Sequence, residues 1–296
     1  YKRQSLIGVA ENIIFLKYII RILALKHGHN VSFMSKPFGN LPGSGIHVHY
    51  SILDDRNKDS HLYISRSEIR TSGRAVRPRD SSTLILVRTD SGKPRLLMGK
   101  RSPRHKFMPN KFVFPGGVVD RSDSRVHAKA SLQLGVLKRL KKGCSAARAR
   151  ALAIAAIRET FEETGLVVGK REDKLLCIQS PIWKKFLSSG ANPRLDQLQY
   201  IARAITPPYR SRRYDARFFL MCSDRFILEQ KINQNSTDEL SNISWFTLDE
   251  ARSLQLPHIT RIILEEVEKR ISTHSDFEVP GPFIHFRYGK LVRELQ

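Results

Sequence analysis

Within the octapeptide Arg158-Glu159-Thr160-Phe161-Glu162-Glu163-Thr164-Gly165, three glutamates fall at helical spacing i, i+3 and i+4. On an α-helix those positions share one edge, so three carboxylates project side by side and repel one another unless a cation sits among them. An oxygen-only set of this kind suits a hard divalent ion, Mg2+ first and Mn2+ second, which keeps some of its waters and binds substrate phosphates. Such an ion activates water near neutral pH and relieves charge on a departing oxygen. Arg158 stands one turn before Glu162, where a charge-assisted hydrogen bond can orient a carboxylate. Glu159, Glu162 and Glu163 are therefore both the candidate metal ligands and, with Arg158, the candidate catalytic residues.

Upstream lies Phe114-Pro115-Gly116-Gly117. Taken together, the two stretches resemble the signature of the Nudix hydrolases, a family that cleaves nucleoside diphosphates linked to another moiety. That signature runs Gly, five residues, Glu, seven residues, Arg-Glu, two residues, Glu-Glu, one residue, Gly. Gly117, Arg158, Glu159, Glu162, Glu163 and Gly165 match it. The middle departs: an insertion of about Asp120 to Ala146 separates the two arms, and the position eight before Arg158, where the family has its first Glu, is Arg150. Absence of that carboxylate leaves the number of bound ions open.

The resemblance implies an α/β/α sandwich with a mixed sheet, a divalent ion, and a small nucleotide substrate. It assigns Gly116 and Gly117 to the close passage of loop against helix and substrate, where a backbone carbonyl supplies an extra oxygen. A later acidic residue, Glu239, is a candidate general base, alongside the helix glutamates. The run Lys100-Arg101-Ser102-Pro103-Arg104 is similar to the segment preceding the signature in coenzyme A diphosphatases of the family. Arg101 and Arg104, with Lys106, are thereby candidates for gripping a substrate phosphate. Coenzyme A or acyl-coenzyme A is the leading substrate class, with dinucleotides such as NADH behind it. A noncatalytic Nudix-like module that binds nucleotide or nucleic acid is the alternative.

Charge agrees with an anionic partner. The chain of 296 residues carries 51 Lys and Arg against 28 Asp and Glu, a formal net charge of +23. Such an excess favours anionic partners, whether phosphorylated small molecules, nucleic acid or acidic lipid. Cys144, Cys177 and Cys222 are odd in number and far apart, which fits a reducing cytoplasm better than a disulfide scaffold. The apolar window Leu6 to Leu25 is interrupted by Glu11, Asn12, Lys17 and Arg21, so no membrane span is expected.

A second resemblance occupies the front of the chain. Lys36-Pro37-Phe38 and Pro42-Gly43-Ser44-Gly45-Ile46-His47-Val48-His49-Tyr50-Ser51 look like the ATP-binding signature of glutamine synthetase. That likeness matches His47 to a metal ligand and His49 to an ATP contact. It stops soon after Asp55, and the carboxylates and arginines that such a site needs are missing. The expected organisation is a glutamine synthetase-like fragment over 1–63, a polar linker over 64–81 and a Nudix domain over 82–296, with no glutamine-forming activity.

The elements that must position the acidic edge are legible from patterning. Thr83 to Arg88 and Arg95 to Lys100 read as a hairpin across Asp90-Ser91-Gly92, and Lys111 to Phe114 as a short strand. Ala147 to Thr164 is predicted helical, Ala-rich, with Leu152, Ala155, Ala156 and Phe161 on the buried stripe and Gly165 as terminator. Strands are expected at Leu198 to Ile205, Arg217 to Met221 and Ile243 to Phe246, and helices at Leu248 to Leu254 and Thr260 to Ile271. The inserted segment, rich in Lys and Arg around Leu137 to Lys142, reads as a solvated helix or loop, or else as a basic arm toward nucleic acid.

Overall fold

The computed structural model describes residues 51–53, 59–61, 75–89, 92–105, 108–126, 128–172, 180–222, 224–228, 240–273, 279–287 and 290–296. His47, His49, Lys106 and Glu239, together with most of the expected linker, lie outside the described residues. The chain divides into two units, Tyr1–Leu62 and Tyr63–Gln296. In the first, strands β1 (Ser51–Leu53) and β2 (Asp59–His61) pair antiparallel.

The second unit is built on one mixed sheet. Its strands are β3 (Arg79–Arg88), β4 (Arg95–Arg101), β5 (Phe112–Val113), β6 (Gly116–Val118), β9 (Gln199–Ile205), β10 (Tyr214–Cys222), β12 (Leu240–Thr247), β13 (Pro282–Arg287) and β14 (Lys290–Leu295). The order is β12-β4-β3-β10-β9-β13-β14, with β5 on β4 and β6 on β3. Strand β3 runs parallel to β10 and antiparallel to β4 and β6. A smaller sheet has β7 (Val167–Arg171) between β8 (Ala191–Pro193) and β11 (Ile227–Leu228).

Period-two alternation decides the layers. On β3, Leu84 and Leu86 enter one core while Ile85 and Val87 enter the other; β10 divides Phe219 and Met221 from Phe218 and Leu220 in the same way. The first face is covered by helices α1 (Leu134–Leu140), α2 (Ala146–Thr164) and α3 (Pro181–Leu187). The second is covered by α4 (Leu248–Ser253) and α5 (His258–Thr273), through Ala251, Ile263, Leu264 and Val267. The result is the expected α/β/α sandwich. Among the described residues, no helix is long and apolar enough to cross a membrane.

The inserted segment departs from expectation. Val126, Leu132, Val136 and Leu140 are buried in the same core as α2, so it is neither a solvated loop nor a free arm. Val136 and Leu140 are one turn apart, and this short apolar stripe is hidden in a lysine-rich composition. Lys138, Lys141 and Lys142 remain exposed, while Arg139 is buried with its guanidinium 5.3 Å from the centre of the Tyr200 ring.

Candidate active site

Helix α2 carries the acidic edge, and its own sequence sets where it starts and stops. Ser145 is the N-cap, its hydroxyl accepting the Arg148 N–H, and Gly165 closes the other end at φ 73° with its N–H on the Phe161 carbonyl. Only a residue without Cβ takes that left-handed turn cheaply. Between them, Ala149 and the run from Ala151 to Ile157 are buried, and the small alanines let the helix sit close against β3. At the last turns, Phe161 packs edge-on to Phe186, which in turn meets Trp183. This inward anchor turns the opposite side of the helix, with the glutamates, toward the loop carrying Gly116 and Gly117.

Arg158 organises the site. Its side chain is 6 % exposed, and Nη1 lies 2.9 Å from Glu159 Oε1 and 3.0 Å from Glu162 Oε2. Nη2 donates to the Val118 carbonyl at 2.9 Å, tying β6 to the helix. Burial alone would lower the guanidinium pKa; the hydrogen bonds to Asp123 and the charges of Glu159 and Glu162 overcome it and raise the pKa.

Asp123 corrects the sequence reading. Fully buried, it accepts from Arg158 Nε at 2.8 Å and Nη2 at 3.0 Å, and from the Asp120 N–H at 2.8 Å. Counted forward from Gly117, five residues lead to Asp123, so the first carboxylate of the signature is present, as aspartate, ahead of the insertion. Counting back from Arg158 lands on helix α2 itself, at the exposed Arg150. The signal that finds Asp123 is the Gly117 spacing, which puts the start of the insertion after Asp123 and not at Asp120 as expected.

The two glycines are required for different reasons. A Cβ on Gly117 would fall 2.4 Å from a Glu159 carboxylate oxygen. One on Gly116 would fall 2.4 Å from the Ser82 carbonyl oxygen, in the backbone of β3. The Gly116 N–H donates to Glu163 Oε2 at 2.9 Å, and Pro115 accepts from the Leu84 N–H at 3.0 Å. Loop, helix and central strand are thus fastened at one point.

The three glutamates consequently differ. Glu159 and Glu163 are buried, whereas the Glu162 side chain is 33 % exposed. Glu159 and Glu162 turn to Arg158 and Glu163 to Gly116, so the common convergence expected of them is not seen: among the described residues, no three His, Cys, Asp or Glu side chains are grouped to hold an ion. The donor set still fits a hard divalent cation, because it consists of carboxylate oxygens beside a glycine backbone that leaves them room. Arg101 closes β4, its N–H on the Lys111 carbonyl and its carbonyl accepting from Asn110. Arg104 is exposed in the following turn.

Comparison with known proteins agrees with both resemblances. The family "Glutamine synthetase, catalytic domain" matches residues 1–72. The chain is 29% identical to putative nudix hydrolase 7 of Caenorhabditis elegans, over 51% of this chain and 46% of that protein. It is 26% identical to acyl-coenzyme A diphosphatase NUDT19 of Xenopus laevis, over 53% of each. The crystal structure of a NUDIX hydrolase from Alicyclobacillus acidocaldarius aligns with a TM-score of 0.50 at 24% identity, covering 67% of this chain and 96% of that one. The chain spans about half the length of the two curated relatives. It has the Nudix fold and resembles Nudix hydrolases in sequence, with a glutamine synthetase-like fragment in front.

Proposed function

We propose that this protein is a Mg2+- or Mn2+-dependent hydrolase that splits the pyrophosphate bond of a nucleoside diphosphate derivative, with coenzyme A or acyl-coenzyme A as the leading substrate. The observation that carries the proposal is the Asp123–Arg158 pair, whose guanidinium holds Glu159 and Glu162, with the Glu159 carboxylate beside Gly117. Likeness to an acyl-coenzyme A diphosphatase supports the substrate class.

In this reading Glu159, Glu162 and Glu163 hold the divalent ion, which when bound acts as a Lewis acid and makes water a nucleophile near neutral pH. Water oxygen attacks one phosphorus, the bridging oxygen leaves with the other phosphate, and two phosphate monoesters result. Arg158, kept charged and rigid by Asp123, sets the orientation of Glu159 and Glu162. Glu162, the most open of the three, faces the solvent that supplies the water and can take its proton. Glu163 holds the Gly116 loop against the helix through the hydrogen bond described above. Arg101 and Arg104 are assigned to a substrate phosphate. Cys144 and Cys222, neither of them in a disulfide among the described residues, suit a reducing cytoplasm.

The test is a panel of coenzyme A, acyl-coenzyme A, NADH, ADP-ribose and capped RNA with Mg2+ or Mn2+, read by product mass, with Glu162→Gln alongside. Hydrolysis that disappears in the variant while its circular dichroism is unchanged is the expected result. Turnover of no member by the parent, with nucleic-acid affinity that falls steeply with salt, would instead favour a binding module that uses the exposed Lys138, Lys141 and Lys142 in and after α1.

A further inference from the structure

A cleft of about 510 Å3 opens at the other end of α2, between the starts of β3 and β10 and the turn after α1. Four of its lining residues are arginines, Arg77, Arg79, Arg148 and Arg217, set against two carboxylates, Asp80 and Asp215. The charges form an ordered chain. Arg148 Nε donates to Asp80 Oδ2 at 2.7 Å, and Arg217 Nη1 to Asp80 Oδ1 at 2.7 Å. Arg217 Nη1 also lies 3.0 Å from Asp215 Oδ1, and Arg203 grips Asp215 through Nε at 2.9 Å and Nη2 at 2.7 Å.

A self-contained ion network balances its charges, and this one does not. Both carboxylates are fully engaged, the chain ends in a cation on each side, and Arg77 and Arg79 add two more with no carboxylate partner among the described residues. Arg217 is 2% exposed and held from several directions. Its guanidinium is therefore positioned in advance, which reduces the ordering cost of binding. Gly143 lets the turn approach, since a Cβ there would fall 2.5 Å from Arg203 Nη1. Gly143 and Arg148 also place the N-terminus of the 19-residue helix α2 at the cleft, and its dipole favours an anion.

We propose that this cleft is a binding site for a phosphate monoester, separate from the carboxylate edge. Four arginines lining one cleft suit the charge and oxygens of a dianion, which arginine recognises in bidentate fashion. Arg148 and Glu159 are 11 residues apart on one helix, roughly 16 Å along its axis. The monoester is either a terminal phosphate of the substrate itself or that of a second molecule. Only the first of these sources rests on the hydrolase reading.

Binding is measured by calorimetry on the full chain without divalent metal, using adenosine 3′-monophosphate, with adenosine as the neutral comparison. The parent binds the nucleotide and not the nucleoside, and Arg79→Gln/Arg148→Gln weakens binding by about tenfold or more. Lys138→Gln, which removes one exposed charge outside the cleft, leaves it unchanged. Equal affinity in the parent and the double variant overturns the proposal, as does equal loss in Lys138→Gln. Should the double variant not fold, Arg79→Gln alone, on an exposed residue, serves for the same comparison.

Kinetics then separate the sources. A KM for coenzyme A that rises in the variant, with dephospho-coenzyme A unmoved, identifies the substrate's own monoester. Unchanged KM for both, with nucleotide binding lost, identifies a second ligand. Absence of turnover by the parent would sink the hydrolase reading and leave the binding result standing.

Discussion

Asp123 and Arg158, 35 residues apart in the chain, meet through two hydrogen bonds inside the protein, Nε to Oδ1 at 2.8 Å and Nη2 to Oδ2 at 3.0 Å. Asp123 is fully buried and the Arg158 side chain nearly so. Removing Asp123 leaves only Glu159 and Glu162 to balance the buried Arg158. Asp123→Asn is expected to cost about 3 kcal/mol in urea unfolding and to abolish hydrolysis, because Arg158 loses the partner that aims it at Glu159 and Glu162. Unaltered stability would mean that Glu159 and Glu162 suffice to hold the guanidinium.

The two glycines of the loop should fail differently. Gly117→Ala drives a methyl into the Glu159 carboxylate, the end of a side chain that can swing away, so the rate falls while the melting temperature changes little. Gly116→Ala meets β3 backbone, which cannot yield, and costs about 2 kcal/mol or more of stability. Melting curves and rates on both proteins check this, and a reversed pattern would place Glu159 outside the chemistry.

Glu163 is assigned a fastening role besides metal binding. Glu163→Gln keeps an acceptor for the Gly116 N–H and should hold stability within about 0.5 kcal/mol, whereas Glu163→Ala leaves that donor without its partner and costs about 1.5 kcal/mol. Equal denaturation midpoints for the two variants would show that the contact contributes nothing.

Asp80 predicts an acid-dependent difference. Burial alone would raise its pKa, but the hydrogen bond from Arg148 and the charge of Arg217 outweigh that, and the carboxyl is held below its ordinary value of 3.8. A group lowered on folding stabilises the protein above its unfolded pKa, and that contribution is lost as pH falls through the folded value. The parent should therefore melt higher than Asp80→Asn at neutral pH, and the gap should close below about pH 4. A gap that persists in acid would assign the difference to packing.

Deleting residues 1–62 should leave hydrolysis intact, since every residue placed in the site lies beyond them. Turnover assays of the truncated chain check this, and loss of rate in a folded protein would make the front segment part of the enzyme.

The sequence makes some of this plain. Gly165 and the alanine run mark α2 to within one residue, and the alternation in β3 and β10 reports a sheet covered on both sides. Strand β3 begins at Arg79, earlier than Thr83, because Arg79 to Ser82 pair with β10 and β6 despite their polarity. The pairs β13–β14 and β7–β8 escape notice because their alternation is short, and β8 also lies well beyond β7 in the chain. At the site, spacing within one helix was readable, as local geometry fixes it. Asp123 is missed because a count back from Arg158 runs across the insertion, and Glu163's bond to Gly116 depends on the path of the loop.

The inserted chain packs its own apolar groups into the core, so the two halves of the site cannot meet until it has docked. The acidic helix forms from local contacts on the microsecond scale, whereas closure of a long intervening loop carries an entropic penalty that grows with its length. During refolding, ellipticity should consequently recover ahead of turnover, with the guanidinium finding its buried aspartate as one of the last events in maturation of the protein.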